Sequence, residues 1–146
     1  MQILIEKAKR TLTVTDARNA VIFQCRIALG SAPRGPKTRE GDGKTPEGDY
    51  YVCLKKMGKY GPALGVSYPN ARDAERGGAD AALLSYIREC EKQRKRPPWG
   101  SVLGGEIYIH GGGTESDWTA GCIALNDQDA ERLYSLVSEG TPIRIL

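Results

Sequence analysis

Residues 106–126 read EIYIHGGGTESDWTAGCIALN. This stretch contains the only histidine of the chain, His110, and one of its four cysteines, Cys122. Ile107-Tyr108-Ile109 precedes the histidine, Ile123-Ala124-Leu125 follows the cysteine, and Gly111-Gly112-Gly113 lies between them. The pattern predicts a strand ending at His110, an irregular loop, and a second short strand beginning at Cys122. Adjacent strand ends would set an imidazole beside a thiol. A thiol attacks as its thiolate, and a neighbouring imidazole is a common way to lower its pKa from ~8.5. Gly121 lets the backbone approach a bound group, and amides at Gly121 and Cys122 are candidate donors to a developing oxyanion. The three glycines are not a dinucleotide fingerprint, because Ser116 stands where the third glycine is needed and no helical period follows.

Outward from this stretch, the flanks turn helical on both sides. Leu83, Ile87 and Cys90 fall at i, i+4 and i+7, with Leu84 beside them, which predicts a helix from about residue 79 to 94. Gly77-Gly78 breaks the pattern before it, and Pro97-Pro98 ends it. After Leu125, Asn126 or Asp127 can cap a helix with Ala130, Leu133, Leu136 and Val137 as its apolar stripe. Gly140 stops that helix, and residues 141–146 form a last strand.

The opening of the chain alternates apolar and polar residues in three short runs, 2–6, 11–15 and 20–28, the last with Val21, Phe23, Cys25 and Ile27 on one face. These read as a β-meander. Residues 30–48 (GSAPRGPKTREGDGKTPEG) are too rich in Gly and Pro for regular structure, and a loop this long is usually functional or mobile. Gly43-Lys44-Thr45 is not a phosphate loop, since Thr38 replaces the first glycine and Pro46 follows where a helix should start. A strand resumes over 49–55. The expected fold is mostly β, a β-rich α+β domain spanning 1–146 with two accessory helices.

The net charge of +3 is too small and too scattered to suggest nucleic-acid binding; the basic run at 92–96 reads as the solvated end of a helix. No window approaches ~18 consecutive apolar residues, so no membrane-spanning helix is expected. The start, MQILIEKAKR, lacks the apolar core of a signal peptide, which leaves a cytoplasmic protein or one whose export signal is not in this sequence. Cysteine spacing offers no CxxC pair, and with one histidine no structural metal site is expected. Cys25 and Cys90 lie on apolar faces and Cys53 in a strand, so all three read as buried structural thiols.

The stretch resembles the catalytic segment of the bacterial L,D-transpeptidase (YkuD-type) family, in which a strand carries His-Gly and a later Ser/Thr-His-Gly-Cys enters an apolar strand. The matching residues are Ile109-His110-Gly111 and Thr119-Ala120-Gly121-Cys122-Ile123. Lys44-Thr45-Pro46-Glu47-Gly48-Asp49-Tyr50 is similar to the family's Thr-Pro-x-Gly-aromatic entry into a strand, and Gly140-Thr141-Pro142-Ile143 also matches. Ala120 stands in place of a second histidine common in the family, and Ala124 where many members have an arginine. The resemblance implies a β-sandwich or open-barrel domain and cysteine-dependent acyl transfer on peptidoglycan stem peptides. Cys122 would be the nucleophile and His110 the base, with Gly121, Thr119, Gly111 and Ala120 around the oxyanion and substrate. It implies no cofactor, no metal, a monomer, and work in the periplasm or cell envelope. A backbone carbonyl or Asp117 would orient His110, and the helix at 79–94 is a candidate lid. Hydrolysis of the same acyl-enzyme (an L,D-carboxypeptidase or amidase) and a non-catalytic cell-wall binding module are the alternatives.

Overall fold

A computed structural model describes residues 1–146. Eight strands follow in the order β1 (Gln2–Glu6), β2 (Thr11–Thr15), β3 (Val21–Arg26), β4 (Gly48–Gly58), β5 (Gly61–Val66), β6 (Tyr108–His110), β7 (Ile123–Ala124) and β8 (Pro142–Ile145). Helices α1 (Ala71–Arg76) and α2 (Ala81–Gln93) lie between β5 and β6, and α3 (Asp127–Leu136) between β7 and β8. The mostly β, α+β expectation holds. Helix α1 is an addition to the two helices read from periodicity: it is six residues long, too short to show a period, and rests on a capping box between Asn70 and Asp73.

The strands form one sheet in the order β3-β2-β1-β8-β4-β5-β6-β7. Its apolar faces are set by alternation: Ile3 and Ile5 of β1 face Val14 and Leu12 of β2 on one side and Ile143 and Ile145 of β8 on the other. The sheet curls until its two ends meet. Beyond the end of β3, Ala28 bridges Ala124 of β7, each amide donating to the other's carbonyl at 2.8 and 2.9 Å. That bridge closes the open barrel and leaves β6 and β7 paired on both sides, with no exposed edge between β7 and the chain beyond β3.

A cluster of 22 buried side chains draws on every strand and on Ala130 and Leu133 of α3, so the strand that carries His110 rests on the main core. Val21 departs from the expected pattern. It is 61% exposed, because the register shifts between Val14 and Thr15 and turns the start of β3 out of the core face. Strand β5 also escaped the sequence reading. Its run Gly61-Pro62-Ala63-Leu64-Gly65-Val66 has no alternation, yet it pairs with both β4 and β6. The β4–β5 hairpin, turning at Gly58 and Gly61, therefore stands directly beside the strand of His110.

Candidate active site

Strands β6 and β7 are parallel, with Ile109 opposite Ile123 and His110 opposite Ala124. One residue earlier on each strand, Cys122 meets Tyr108, whose amide donates to the thiol sulfur at 3.4 Å. Because side chains alternate, Ile109 and Ile123 enter the core while Tyr108, His110 and Cys122 share the opposite face. The histidine and the cysteine line one pocket of about 210 Å³, together with Lys56, Lys59, Tyr60 and Tyr108. The imidazole and the thiol thus share a pocket at neighbouring strand ends, and the thiol itself donates to the Glu106 carbonyl at 3.5 Å.

His110 is held on three sides. Its Nδ1 lies 2.5 Å from the carbonyl oxygen of Gly111. A carbonyl only accepts, so Nδ1 carries the proton and Nε2 keeps its lone pair. Tyr60 stacks on the ring with centroids 4.8 Å apart and 14° between planes, and Trp118 meets it edge-on at 5.9 Å. Asp117 plays no part in this. Its carboxylate takes Arg10 Nη2 at 2.7 Å and Nε at 3.1 Å and accepts the Leu29 amide at 3.0 Å, which clamps the loop after Gly113 to the β1–β2 turn and to the end of β3. The Arg10 guanidinium holds that carboxyl below its usual range.

The electrostatics differ from the sequence expectation. Burial raises the Cys122 thiol above its ordinary value, opposed only in part by the Tyr108 amide and the positive charge of Lys37. Burial lowers His110, opposed in part by the Gly111 carbonyl. Both shifts favour the uncharged forms, so the resting pair is a neutral thiol and a neutral imidazole rather than a preformed thiolate–imidazolium pair. Desolvation is the largest cause in both cases. The thiolate then arises only as a base takes its proton.

Thr119, only 6% exposed, fixes the turn that presents Cys122. Its hydroxyl donates to the Cys122 carbonyl at 2.7 Å and accepts the Gly121 amide at 3.1 Å. The Gly121 amide, expected as an oxyanion donor, is engaged within the turn. The Cys122 amide has no such partner and remains the candidate donor. The close approach that Gly121 permits is to the chain itself: at φ +145°, a Cβ there would lie 2.7 Å from the Lys44 carbonyl oxygen. Gly111 packs as tightly against α3, where a Cβ would lie 2.5 Å from Asp127 Oδ1, and that carboxylate holds the Gly112 amide at 2.9 Å. Ala120 is exposed beside the turn.

The loop of residues 30–48 forms the wall behind Gly121 and is pinned by buried charge. Lys7, 5% exposed, donates to the carbonyls of Gly35 and Thr45 and to Glu47. Lys37, 2% exposed, pairs with Asp42 at 2.9 Å, and Asp42 also accepts the amides of Thr38, Arg39 and Lys44. Burial opposes ionisation of Asp42, but Lys37 and the three amides prevail and hold its pKa at about 2. Helix α2 is not a lid, since none of its residues lines the pocket. Trp99, in the connector after it, instead packs edge-on against Tyr108 at 5.5 Å. Cys25, Cys53 and Cys90 are buried and unpaired, with the first two thiols pushed up to about 12 by burial. No group of three or more His, Cys, Asp or Glu side chains is placed to hold a metal.

Lys56, Lys59, Tyr60 and Tyr108 were not singled out from sequence. The first three sit on the β4–β5 hairpin, and only the pairing of Ala63 with His110 brings that hairpin to the site. The Gly58–Gly61 turn was a readable signal for a hairpin, though not for its partner strand.

The YkuD family, described as the L,D-transpeptidase catalytic domain, matches residues 1–145. A curated protein of Escherichia coli (strain K12) named "Putative L,D-transpeptidase YafK" is 36% identical over 81 residues, which are 51% of this chain and 33% of that protein. The crystal structure of the helical cell shape determining protein Pgp2 from Campylobacter jejuni aligns with a TM-score of 0.70 and 25% identity, over 98% of this chain and 46% of that one. An L,D-transpeptidase from Mycobacterium smegmatis aligns with a TM-score of 0.57 over 99% of this chain and 58% of its own, and at 17% identity it attests the fold alone. The chain spans less than half the length of the first two of these relatives.

Proposed function

The chain belongs to the L,D-transpeptidase (YkuD) catalytic domain family, and on that premise we propose that it transfers acyl groups between peptidoglycan stem peptides through a Cys122 thioester. The observation that supports this reading best is the common pocket of His110 and Cys122, with Nδ1 of the imidazole committed to the Gly111 carbonyl and Nε2 left as a base. The donor is a stem peptide whose third residue, a diamino acid, is followed by a terminal D-Ala. His110 Nε2 takes the thiol proton as sulfur attacks the carbonyl joining these two residues, and the Cys122 amide steadies the tetrahedral oxyanion. The carbon–nitrogen bond breaks, the imidazolium returns its proton to the departing amine, and D-Ala leaves a thioester on Cys122.

A side-chain amine of a second stem peptide then attacks the thioester carbonyl and loses its proton to His110. The sulfur leaves and recovers that proton, which yields a 3→3 cross-link and the resting enzyme. A neutral resting pair suits this cycle, because neither group carries charge into a water-poor pocket before the acyl donor is in place. The reaction takes place in the periplasm or cell envelope, where its polymer lies, and the protein acts as a monomer. A contribution to cell shape accords with the likeness to Pgp2.

The test is incubation of the protein, and of its Cys122→Ala variant, with purified tetrapeptide muropeptides, followed by mass spectrometry. Cross-linked dimers that have lost one D-Ala are expected from the unmodified protein alone. Tripeptide monomers without dimers would assign hydrolysis instead, and identical traces from both proteins would contradict acyl transfer altogether.

A further inference from the structure

The pocket that holds Cys122 and His110 is basic without a counter-charge. Lys56 and Lys59 line it, and no acidic residue does. Neither lysine belongs to any of the ion pairs of the structure. Each is instead poised over an aromatic wall of the same pocket, with Lys56 Nζ 4.7 Å from the Tyr108 ring centroid and Lys59 Nζ 5.5 Å from that of Tyr60. Cation–π contacts orient an ammonium while leaving its N–H donors free for an anion. On the strand beyond Cys122, Ala124 is fully buried and tied to Ala28 and offers no charge, and Lys37 is already paired with Asp42.

Size narrows what the two lysines can meet. A volume of about 210 Å³ falls below the ~300–1,000 Å³ typical of sites for drug-sized ligands. It accommodates one small residue beyond the scissile carbonyl, such as the terminal D-Ala of the donor proposed above. A residue that ends the chain there presents its carboxylate within about one residue length (~3.8 Å between successive Cα atoms) of the bond under attack. That places a negative charge inside a pocket with two unpaired ammonium groups.

We propose that Lys56 and Lys59 form a carboxylate-recognition subsite on the β4–β5 hairpin, which selects acyl donors whose leaving residue ends in a free α-carboxylate. The inference rests on the acyl-transfer reading above for the identity of the donor, but its recognition step stands apart from turnover. The subsite makes the protein an exo-acting enzyme on the donor side: it accepts a chain end and rejects an internal peptide bond or an amidated terminus. Recognition weakens with salt, because the lysines are exposed and screened over ~8 Å at physiological ionic strength.

Binding to the Cys122→Ala protein tests this without turnover. The probes are a stem tetrapeptide with a free terminal carboxylate, the same peptide as its C-terminal carboxamide, and a third with lysine as its diamino residue, which lacks the carboxylate of that side chain. The free acid is expected to bind about tenfold more tightly than the carboxamide, corresponding to ~1.4 kcal/mol, with the lysine peptide equal to the free acid. Adding Lys56→Met and Lys59→Met should abolish the preference, and Lys56→Arg with Lys59→Arg should restore it. Equal binding of acid and carboxamide, a preference that survives the double Met variant, one that follows the diamino residue's carboxylate, or no binding of any probe would each overturn the subsite. Failure of the acyl-transfer reading would show separately, as absence of Cys122-dependent product from the unmodified enzyme despite intact discrimination in binding.

Discussion

Two glycine-rich loops meet behind Cys122, and they are held in different ways. Residues 111–122 connect β6 to β7 and expose Trp118 and Ala120 while keeping His110 buried and uncharged. Residues 30–48 carry no reacting group, yet they contain a nearly inaccessible Lys37–Asp42 pair and enclose the ammonium of Lys7. The first loop is clamped by the partly exposed Arg10–Asp117 pair away from the pocket, and the second uses the buried Lys37–Asp42 pair as its frame. Composition alone does not separate them, since both read as irregular and glycine-rich. What separates them is where each donor finds its acceptor.

The largest effect should come from the histidine that the first loop covers. Replacing His110 with Ala removes the proposed base, and kcat should fall about 10²–10⁴-fold; a loss of less than tenfold in a steady-state assay of the folded variant would mean that another group takes the proton. The framed loop should respond in stability. Asp42→Asn leaves Lys37 buried without its counter-charge, at a cost of ~3–5 kcal/mol by chemical denaturation. The sign with pH follows from the depressed pKa. The contribution of Asp42 is complete above its ordinary value of 3.8 and fades as pH falls toward about 2, so the gap between the two proteins should close over that interval. A gap that widened on acidification would contradict the ion-pair frame.

Gly121→Ala probes the seam between the loops. A Cβ 2.7 Å from the Lys44 carbonyl, at φ +145°, should cost ~1–3 kcal/mol and displace the Cys122 amide, lowering kcat more than it raises KM. Unchanged kinetics would mean that the seam does not position the nucleophile. The smallest effect concerns pH. Burial lowers His110, so the acid limb of kcat/KM should lie below ~6.5, and Tyr60→Ala, which uncovers the ring, should move that limb back upward. A limb at or above 6.5 in the unmodified protein would place a charged imidazole in the resting site.

Much of the site was legible because it is local in sequence. The strand, the glycines, His110 and Cys122 lie within 21 residues, and period-2 alternation placed the strands of the opening meander and the apolar entry to β6. The hydroxyl of Thr119 engaging the Gly121 amide was not legible, since a residue list does not say which of two neighbouring amides is free. Nor was the upward shift of the Cys122 thiol, because burial is a property of the closed barrel. Strand β5 and the hairpin lysines were missed for one reason: a glycine- and proline-containing run has no alternation, and its β character comes from partners on both sides. Val21 was misplaced because a one-residue register shift reverses a face without altering the sequence pattern.

The most direct test of the central claim is the intact mass of the protein after brief exposure to a tetrapeptide donor in the absence of acceptor. An increase equal to the donor less its terminal D-Ala is expected, reversed by thioester-cleaving hydroxylamine and absent in Cys122→Ala. An unchanged mass together with continued product formation, or an adduct that persists in the Cys122→Ala protein, would contradict a thioester on Cys122.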